Sequence, residues 1–400
     1  MLGNGMEQLV EPVAATCVSE ILQKVEEVSS WVVNDSTAFS HNIAAYKAIV
    51  GNDAQLAVVL KSNAYGHGLE IVAKLVDENK AVDLICVVSV SEALRLRFIG
   101  IQKPILVVSI LDGDLVAAVK QRIQLVVYNK ESLHRIQHAS QLAQKIAQIH
   151  LKFDTGLSRL GVGPDDWHEF VASVAAFKKI DIVGIFTHLA DAESNDQQFS
   201  KLQLERFRHA QHLIAEQLGY LPLIHYSCSA ALGTLNSSSH SIARFGIGLY
   251  GLWSSVENKA MMKKLYPSFS LRPVMSWYSR IIQLKSVSAG ASIGYDMSFI
   301  APVAMRLAIV SVGYWDGFDR CFSNNGVVCI AGQLACVVGR VSMNLTIVDV
   351  THIAHVQEQD PVLLLGNMPG VRAEDLAERA GTINYEIVTR INPLLPRCIF

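Results

Sequence analysis

Residues 84–108 read LICVVSVSEALRLRFIGIQKPILVV, two apolar runs on either side of a stretch with helical spacing. The runs, Ile85–Val88 and Ile105–Val108, are short and rich in β-branched residues, which is typical of buried strands. The stretch between them, Ser91–Ile99, places apolar residues three and four positions apart, which predicts a helix. The segment therefore predicts a strand, a helix and a second strand in succession.

The same alternation extends from Ala57 to about Phe245. Eight strand candidates occur in this range, with helical stretches such as Leu69–Asn79, Glu131–Ala147 and Phe199–Leu218 between them. Alternation repeated eight times favours a closed (β/α)8 barrel over an open doubly wound sheet. The strand candidates are residues 58–60, 85–88, 105–108, 125–127, 149–153, 182–186, 223–226 and 242–244.

The pattern changes after Trp253. Glu257–Tyr266 predicts a linking helix, and the remaining sequence alternates short strands with turns such as Asn324-Asn325-Gly326. We therefore predict the α/β fold class, with an N-terminal (β/α)8 barrel followed by a C-terminal mainly-β domain. The predicted parts are an irregular or weakly helical N-terminal segment of residues 1–34, a barrel domain of residues 35–266 and a β domain of residues 267–400.

Composition and charge exclude several function classes. The 400 residues include 34 Lys and Arg against 36 Asp and Glu, a net charge of −2 without a basic block, so nucleic acid is not an expected partner. Half of the residues are hydrophobic, but the apolar runs are far shorter than the roughly 18 residues that span a bilayer. We therefore assign the apolar content to buried strands and expect no membrane association.

Cysteine usage and the N-terminal sequence predict the compartment. Seven cysteines without paired spacing indicate reduced thiols and no metal site. The first Lys or Arg is Lys24, and no apolar stretch ends in a small-residue cleavage site, so we expect no secretory signal. A cytoplasmic location is the resulting expectation.

The most specific motif is LKSNAYGHG, residues 60–68, at the C-terminal end of the first barrel strand. Barrels of this kind place their chemistry at that end of the strands. Partial burial lowers the pKa of an amine such as that of Lys61, as a Schiff-base lysine requires, and the glycines let backbone amides approach a phosphate. From this residue alone, a strand-end lysine that extends into solvent is the alternative.

The motif closely resembles the pyridoxal phosphate signature of the alanine racemase family, and further resemblances follow in order from about Asn42 to Arg397. They include segments that resemble the family's carboxylate-binding, ring-stacking, phosphate-binding and catalytic tyrosine motifs. The segments are KFDTGLSRLG at 152–161, FTHLA at 186–190, IARFGIGLYG at 242–251, IGYDMSF at 293–299, GYWDG at 313–317, GRVSMN at 339–344 and INYE at 383–386.

The resemblance implies an isomerase that interconverts L-alanine and D-alanine with pyridoxal phosphate and supplies D-alanine for peptidoglycan synthesis. Racemisation removes a proton from one face of Cα and returns one to the other, so it requires two acid–base groups. The resemblance assigns these roles to Lys61 and Tyr295. A free tyrosine has a pKa of about 10, and the family geometry offers a relay through His188 and Arg244 that favours the phenolate. Because Tyr295 lies in the second domain, the resemblance also implies a homodimer with shared active sites.

The resemblance also implies the contacts of the cofactor. Lys61 carries it, His188 lies against its ring, and Arg244 meets its pyridine nitrogen. Because a guanidinium is always protonated, Arg244 should keep that nitrogen unprotonated. The residues expected at the cofactor phosphate are Tyr65, Ser229, Gly246, Ile247 and Tyr385.

For the substrate, the resemblance implies a carboxylate bound by Arg159, with Met343 and Tyr314 as further contacts. Lys152 matches a family lysine that carbon dioxide carbamylates, and the carbamate orients Arg159. An unmodified Lys152 would place a like charge near Arg159, and a simple ion pair with Asp154 is the alternative. Tyr314 and Tyr385 match family tyrosines that crowd the substrate pocket, which favours the small methyl group of alanine.

Departures from the family pattern concern substrate preference and rate rather than reaction type. Many relatives have Asp where this chain has Asn344, and often Asn where it has Cys228. One alternative function is a broad-specificity racemase acting on larger or basic amino acids. Another is a non-catalytic regulatory protein that binds pyridoxal phosphate, against which the additional domain with Tyr295 argues. A decarboxylase on a related scaffold is disfavoured by Arg244, because those enzymes place an acidic residue there.

Overall fold

The computed structural model describes residues 28–233 and 241–400, which form two compact units. The barrel unit comprises residues 36–274 and 373–393, and the β unit comprises the described residues up to 35 together with residues 275–372 and 394–400. This division differs from the predicted boundaries, because residues 267–274 and 373–393 belong to the barrel unit. The prediction for the N-terminal segment falls outside the described residues up to position 27, and Ser30–Asn34 forms a strand, β1, of the β unit.

Eight parallel strands occur among the described residues of the barrel unit, each at a predicted position. Buried, largely apolar side chains dominate most of them, as in parallel sheets covered on both faces. The strands are β2 (Gln55–Val59), β3 (Leu84–Ser89), β4 (Ile105–Ile110), β5 (Leu125–Val127), β6 (Ala147–Lys152), β7 (Ile180–Phe186), β8 (Leu223–His225) and β9 (Ile242–Phe245).

The strands close into a ring. They form two parallel ladders, β4-β3-β2-β9 and β5-β6-β7-β8. Between β4 and β5, the Val107 amide donates to the Gln124 carbonyl at 2.9 Å and the Gln124 amide to the Ile105 carbonyl at 2.8 Å. Between β8 and β9, the Ser241 amide donates to the Ile224 carbonyl at 2.7 Å. The predicted (β/α)8 barrel is confirmed.

Helices occupy the connections, and polar side chains cap several of them. Asn129 and Ser132 form a reciprocal capping box at the start of one helix. The described helices are α1 (Ser36–Val50), α2 (Leu69–Glu78), α3 (Val90–Phe98), α4 (Leu115–Lys120), α5 (Lys130–Ala143), α6 (Trp167–Val174), α7 (Gln198–Leu218), α8 (Val256–Leu265), α9 (Ala373–Ala380) and α10 (Asn384–Thr389). Within the described ranges, no helix is long and apolar enough to cross a membrane.

The β unit is a mixed sheet, as predicted for a mainly-β domain. The strands after β9 are β10 (Met275–Val287), β11 (Ser292–Ile293), β12 (Phe299–Ile300), β13 (Met305–Val310), β14 (Val327–Ile330), β15 (Gln333–Cys336), β16 (Thr346–Asp349), β17 (Pro361–Leu365) and β18 (Arg397–Ile399). The order of the sheet is β15-β14-β17-β10-β1-β18, and β13 and β16 extend it from β10. β1 runs antiparallel to β10 and parallel to β18.

Candidate active site

A left-handed backbone turn follows Lys61, just beyond the end of β2. Residues 62–65 have φ angles of 56°, 56°, 52° and 53°. For non-glycine residues this conformation costs roughly 1–2 kcal/mol each, so contacts around the turn must hold it in place. The turn therefore fixes the direction in which the chain leaves Lys61.

Glu92 on α3 is one of these contacts. One carboxylate oxygen accepts a hydrogen bond from the Ser62 amide at 2.8 Å, and the other accepts from the Val88 amide at 2.9 Å. The ring of His67, which is fully buried, approaches the carbonyl oxygen of Tyr65 at 3.0 Å. These contacts tie the turn to β3 and α3.

Helix α10 rests on the same turn. A Cβ atom at Gly66 would lie 1.9 Å from the carbonyl oxygen of Val388, and Gly66 has a φ of 84°, so both sterics and backbone conformation require glycine. This packing brings Tyr385 next to Tyr65, with 6.3 Å between ring centroids. Tyr385 thus belongs to the barrel unit, whereas the predicted boundaries placed it in the β domain.

A cavity of about 530 Å³ opens where the barrel strands end. Its size falls in the range of small-molecule sites. Every site residue that we predicted in the barrel lines it, and so does Tyr385. These residues are Lys61, Tyr65, Lys152, Arg159, His188, Ser229, Arg244, Gly246, Ile247 and Tyr385.

The other predicted site residues lie in the β unit. Tyr295 is in the loop between β11 and β12, and 68% of its surface is exposed. Tyr314 and Met343 are exposed to 43% and 55%. Asp296, the residue after Tyr295, forms an ion pair with Arg340 at 3.4 Å.

Both cavity lysines have depressed pKa values. Burial lowers the pKa of Lys61, the positive charge of Arg159 adds to this effect, and Glu92 opposes it. Burial lowers the pKa of Lys152 to about 7, and the charges of Arg244 and Arg159 contribute. At neutral pH, a larger fraction of the Lys152 amine is therefore uncharged and nucleophilic than for a lysine exposed to solvent.

Asp154 binds backbone amides and does not form the alternative ion pair with Lys152. One carboxylate oxygen of Asp154 accepts hydrogen bonds from three successive backbone amides of residues 156–158. In the described part of the chain, no ion pair joins Asp154 to Lys152. Asp154 instead shapes the loop that leads to Arg159.

A chain of buried polar side chains holds Arg244 from inside the barrel. Its Nη1 lies 2.5 Å from His225 Nδ1, His225 Nε2 lies 2.8 Å from His150 Nδ1, and His150 Nε2 lies 2.9 Å from Gln124 Oε1. A guanidinium can only donate, so each ring accepts at Nδ1 and donates at Nε2. Burial lowers the pKa of His150 to about 3, which keeps that ring neutral. At Gly184, a Cβ would lie 2.3 Å from His150 Nδ1, so glycine makes room for the ring.

The remaining contacts of Arg244 also fix its direction. Nη2 donates to the Thr187 carbonyl at 3.0 Å, and the guanidinium carbon lies 5.2 Å from the centroid of the Phe186 ring. The guanidinium thus hydrogen-bonds His225, whereas the resemblance implied a relay with His188. Burial lowers the pKa of His188 to about 3, with the charges of Arg244 and Arg159 contributing, so this ring is neutral at pH 7.

At the end of the cavity where the phosphate is expected, the backbone of Gly246 lies close to the side chains of Ser229 and Tyr65. The Gly246 amide donates to Ser229 Oγ at 3.1 Å. A Cβ at Gly246 would lie 2.3 Å from the Tyr65 hydroxyl, so only glycine fits there. Burial raises the pKa of Tyr65, which keeps the phenol protonated as a hydrogen-bond donor. Burial also raises the pKa of Cys228, so its thiol is neutral.

The site residues predicted from the sequence did not include Glu92, Gln124, His150 and His225. They did not include Glu193 either, which also lines the cavity. The available signal was a polar residue inside or just after an otherwise apolar strand. That signal does not identify a partner, because the contacts join residues far apart in the sequence.

Family comparisons agree with this geometry over nearly the whole described chain. The family model for the alanine racemase N-terminal domain matches residues 34–254, and the model for the C-terminal domain matches residues 274–399. The chain belongs to the alanine racemase family. It is therefore an enzyme, an isomerase that racemises alanine. Because both domains match, a barrel-only regulatory protein is not supported.

Individual members of the alanine racemase family match along most of their length. The alanine racemase of Syntrophobacter fumaroxidans is 38% identical over 90% of this chain and 95% of its own, and that of Leptospira interrogans is 34% identical over 93% and 96%. The crystal structure of alanine racemase from D-cycloserine-producing Streptomyces lavendulae has a TM-score of 0.85 at 31% identity, covering 93% of this chain and 97% of its own. An alanine racemase structure from Clostridium difficile 630 has a TM-score of 0.86 at 29% identity, covering 93% and 96%.

Proposed function

We propose that this chain racemises alanine with pyridoxal phosphate in the barrel cavity, using Lys61 and Tyr295 as the two acid–base groups. The observation that carries the proposal is the composition of that cavity. It combines an amine of depressed pKa, hydroxyl and amide donors at one end, and a buried guanidinium. Proton transfer, phosphate binding and control of a heterocyclic nitrogen call for these three groups.

The donor set fits pyridoxal phosphate. The hydroxyls of Ser229 and Tyr65 and the amide of Ile247 would hold its phosphate, since protonated hydroxyls and backbone amides suit an anion. Lys61 would hold its aldehyde carbon, and Arg244 would face its ring nitrogen. The glycine at position 246 supports this assignment, because a larger residue would displace a phosphate-binding phenol.

When bound, the cofactor supplies an electron sink that makes the Cα hydrogen of an amino acid acidic. Arg244 limits the strength of that sink. A guanidinium does not give up its proton, so a nitrogen facing it stays unprotonated. The hydrogen bond to His225 keeps the guanidinium in one orientation. We expect this arrangement to favour reprotonation of Cα over decarboxylation or amino transfer.

Lys61 and Tyr295 divide the proton transfers between the two faces of Cα. Burial and the charge of Arg159 lower the pKa of Lys61, which increases the fraction of neutral amine able to accept a proton. The phenolic oxygen of Tyr295 serves the opposite face. Because Tyr295 lies in the β unit, the proposal includes a homodimer in which each cavity receives this residue from the partner subunit.

The substrate carboxylate is assigned to Arg159, whose planar fork matches it in a bidentate contact. A carbamate on Lys152 would replace a like charge next to Arg159 by an opposite one. The pKa of about 7 supports this, since a neutral amine is needed to react with carbon dioxide. Tyr314 and Met343 complete the substrate site, and Tyr314 and Tyr385 restrict it to small side chains. Family membership supports a role in D-alanine supply for cytoplasmic peptidoglycan synthesis.

A racemisation assay over a panel of L- and D-amino acids, with added pyridoxal phosphate, tests the proposal. We expect alanine to have the highest kcat/KM and serine the next. Extra methylenes in a packed site cost about 1–3 kcal/mol, so larger substrates should lose roughly tenfold or more. Comparable kcat/KM values for lysine, arginine or methionine would favour the broad-specificity alternative. Turnover without the cofactor would contradict the mechanism.

A further inference from the structure

Gln203 on α7 is fully buried, and its carboxamide contacts the irregular loop of residues 187–191 that follows β7. The amide nitrogen donates to the His188 carbonyl at 3.3 Å. The amide oxygen accepts from the Ala190 backbone amide at 2.8 Å. The side chain thus hydrogen-bonds the loop on both sides of Leu189, in the way that a neighbouring strand would.

A third hydrogen bond fixes the orientation of this carboxamide. Its nitrogen also donates to Thr155 Oγ1 at 3.2 Å. A carbonyl can only accept and a backbone amide can only donate, so exchanging the nitrogen and oxygen of Gln203 would break the bonds to His188 and Ala190. Thr155 is fully buried as well, and an unmade hydrogen bond costs most at a buried group. The carboxamide therefore has one position and one direction.

The peptide group on the other side of His188 is also held. The Thr187 carbonyl accepts from Arg244 Nη2 at 3.0 Å, and Thr187 Oγ1 lies 2.8 Å from Thr155 Oγ1. Hydrogen bonds to the carbonyls of residues 187 and 188 fix the direction in which the side chain of His188 leaves the backbone. That side chain lines the cavity together with Lys61 and Arg244.

We propose that Gln203 is a positioning residue for His188, whose carboxamide holds the backbone of residues 188–190 so that the imidazole stays against the ring of bound pyridoxal phosphate. The inference rests on the proposed function, because it takes pyridoxal phosphate as the ligand of the cavity. Gln203 has no exposed surface, so it acts on the cofactor only through His188.

Ser200 provides a matched control on the same helix. It is fully buried, and its hydroxyl donates to the Asp191 carbonyl at 3.0 Å. Ser200→Ala therefore removes a buried hydrogen bond between the same helix and the same loop. It leaves the bonds from Gln203 to residues 188 and 190 in place. A general loosening of the contact between helix and loop should affect both variants, whereas positioning of His188 should affect only the variant of Gln203.

The first test is a titration of the full-length apoprotein with pyridoxal phosphate, followed by absorbance, for wild type, Gln203→Met and Ser200→Ala. Methionine has about the same length as glutamine and cannot donate a hydrogen bond. We expect the Kd of Gln203→Met to rise about three- to tenfold, the range for one contact between rings. The Kd of Ser200→Ala should remain that of wild type. An unchanged Kd for Gln203→Met, or equal losses in the two variants, would overturn the proposal.

A double-mutant cycle shows whether the effect passes through the imidazole. In a His188→Ala background, Gln203→Met should cause no further loss of affinity, and additive losses would overturn the proposal. Proton NMR of the apoprotein gives a second measurement. The Cε1 proton resonance of His188, identified by its absence in His188→Ala, should shift in Gln203→Met and stay in place in Ser200→Ala. An unshifted resonance in Gln203→Met would also overturn the proposal.

Hydrogen exchange in the wild-type apoprotein needs no variant and so does not depend on the folding of Gln203→Met. The Ala190 amide should exchange slowly although Ala190 is exposed, because its acceptor is a buried carboxamide oxygen. Rapid exchange at this amide would overturn the proposal. If the wild type itself binds no pyridoxal phosphate, the proposed function fails instead, and the resonance and exchange measurements still decide whether Gln203 holds the loop.

Discussion

Burial and the charge of Arg159 lower the pKa of the Lys61 amine, and the carboxylate of Glu92 only partly opposes them. Borohydride reduction in the presence of pyridoxal phosphate should leave a pyridoxyl group on this residue, because its neutral fraction is raised and the cavity holds the phosphate. Peptide mapping by mass spectrometry is the measurement. Lys61→Ala should lose the label, whereas Lys47→Ala, at an ion pair with Asp83, should keep it. A label mainly on another lysine would contradict the proposed function.

Tyr295→Phe removes one phenol oxygen from an exposed side chain. We expect racemisation to fall at least about a hundredfold, because one face of Cα loses its proton carrier. Cofactor binding, followed by absorbance, should remain as in wild type, since none of the cofactor-binding residues changes. Substantial racemase activity in this variant would remove Tyr295 from the mechanism.

Lys152 should form its carbamate in a pH-dependent way. Its pKa is lowered to about 7, so the amine is protonated and unreactive below pH 7 and becomes neutral as the pH rises through that value. Carbon-13 NMR in labelled bicarbonate should therefore show a carbamate signal that is larger at pH 8 than at pH 6. The signal should be absent in Lys152→Ala. A signal that weakens as the pH rises through this range would contradict the assignment.

The left-handed turn after Lys61 depends on a neighbouring element, since Glu92 on α3 accepts from the amides of Ser62 and Val88. Glu92→Ala leaves both amides without this acceptor and should lower the free energy of unfolding by about 1–3 kcal/mol. Urea denaturation measures this. Glu70→Ala is the control, because Glu70 pairs with Arg95 on the surface and should cost less than about 1 kcal/mol. Equal losses for the two variants would mean that Glu92 does not hold the turn.

Strand β7 leaves space for a ring from the neighbouring strand. Gly184→Ala would place a Cβ 2.3 Å from His150 Nδ1, and we expect a loss of about 1–3 kcal/mol from overpacking. It should also shift the imidazole resonances in the proton NMR spectrum, because the ring leaves its hydrogen bonds. Gly163→Ala, with nothing within 4 Å of its Cβ, is the control and should change neither property.

The elements of the barrel could be predicted because each strand is a short apolar run and the alternation repeats along one stretch of chain. The placement of α10 could not, because the Gly66–Val388 contact that docks it joins residues more than 300 positions apart. For the same reason, the hydrogen bonds that link Arg244, His225 and His150 could not be predicted. A histidine in an apolar strand is visible in the sequence, but only the closed barrel shows which side chain faces it.

At the scale of the whole molecule, the proposed bases lie in different units, Lys61 in the barrel and Tyr295 in the β unit. Lys61→Ala and Tyr295→Ala should each be inactive alone. If subunits exchange at random, half of the dimers are mixed and each holds one intact site, so about a quarter of wild-type activity should return. Subunit exchange is verified by native mass spectrometry. No recovery after proven exchange would refute the shared site.

The docking of residues 373–393 on the barrel unit also has a consequence for the order of events during synthesis. Strands β2 to β9 leave the ribosome long before Tyr385, yet this tyrosine lines the cavity that they form. Non-local contacts of this kind form late and slow the completion of a fold. A nascent chain stalled with residues up to 372 outside the exit tunnel should contain the barrel strands but retain pyridoxal phosphate poorly. Release of about 20 further residues should restore retention, so cofactor capture would report that translation is nearly complete.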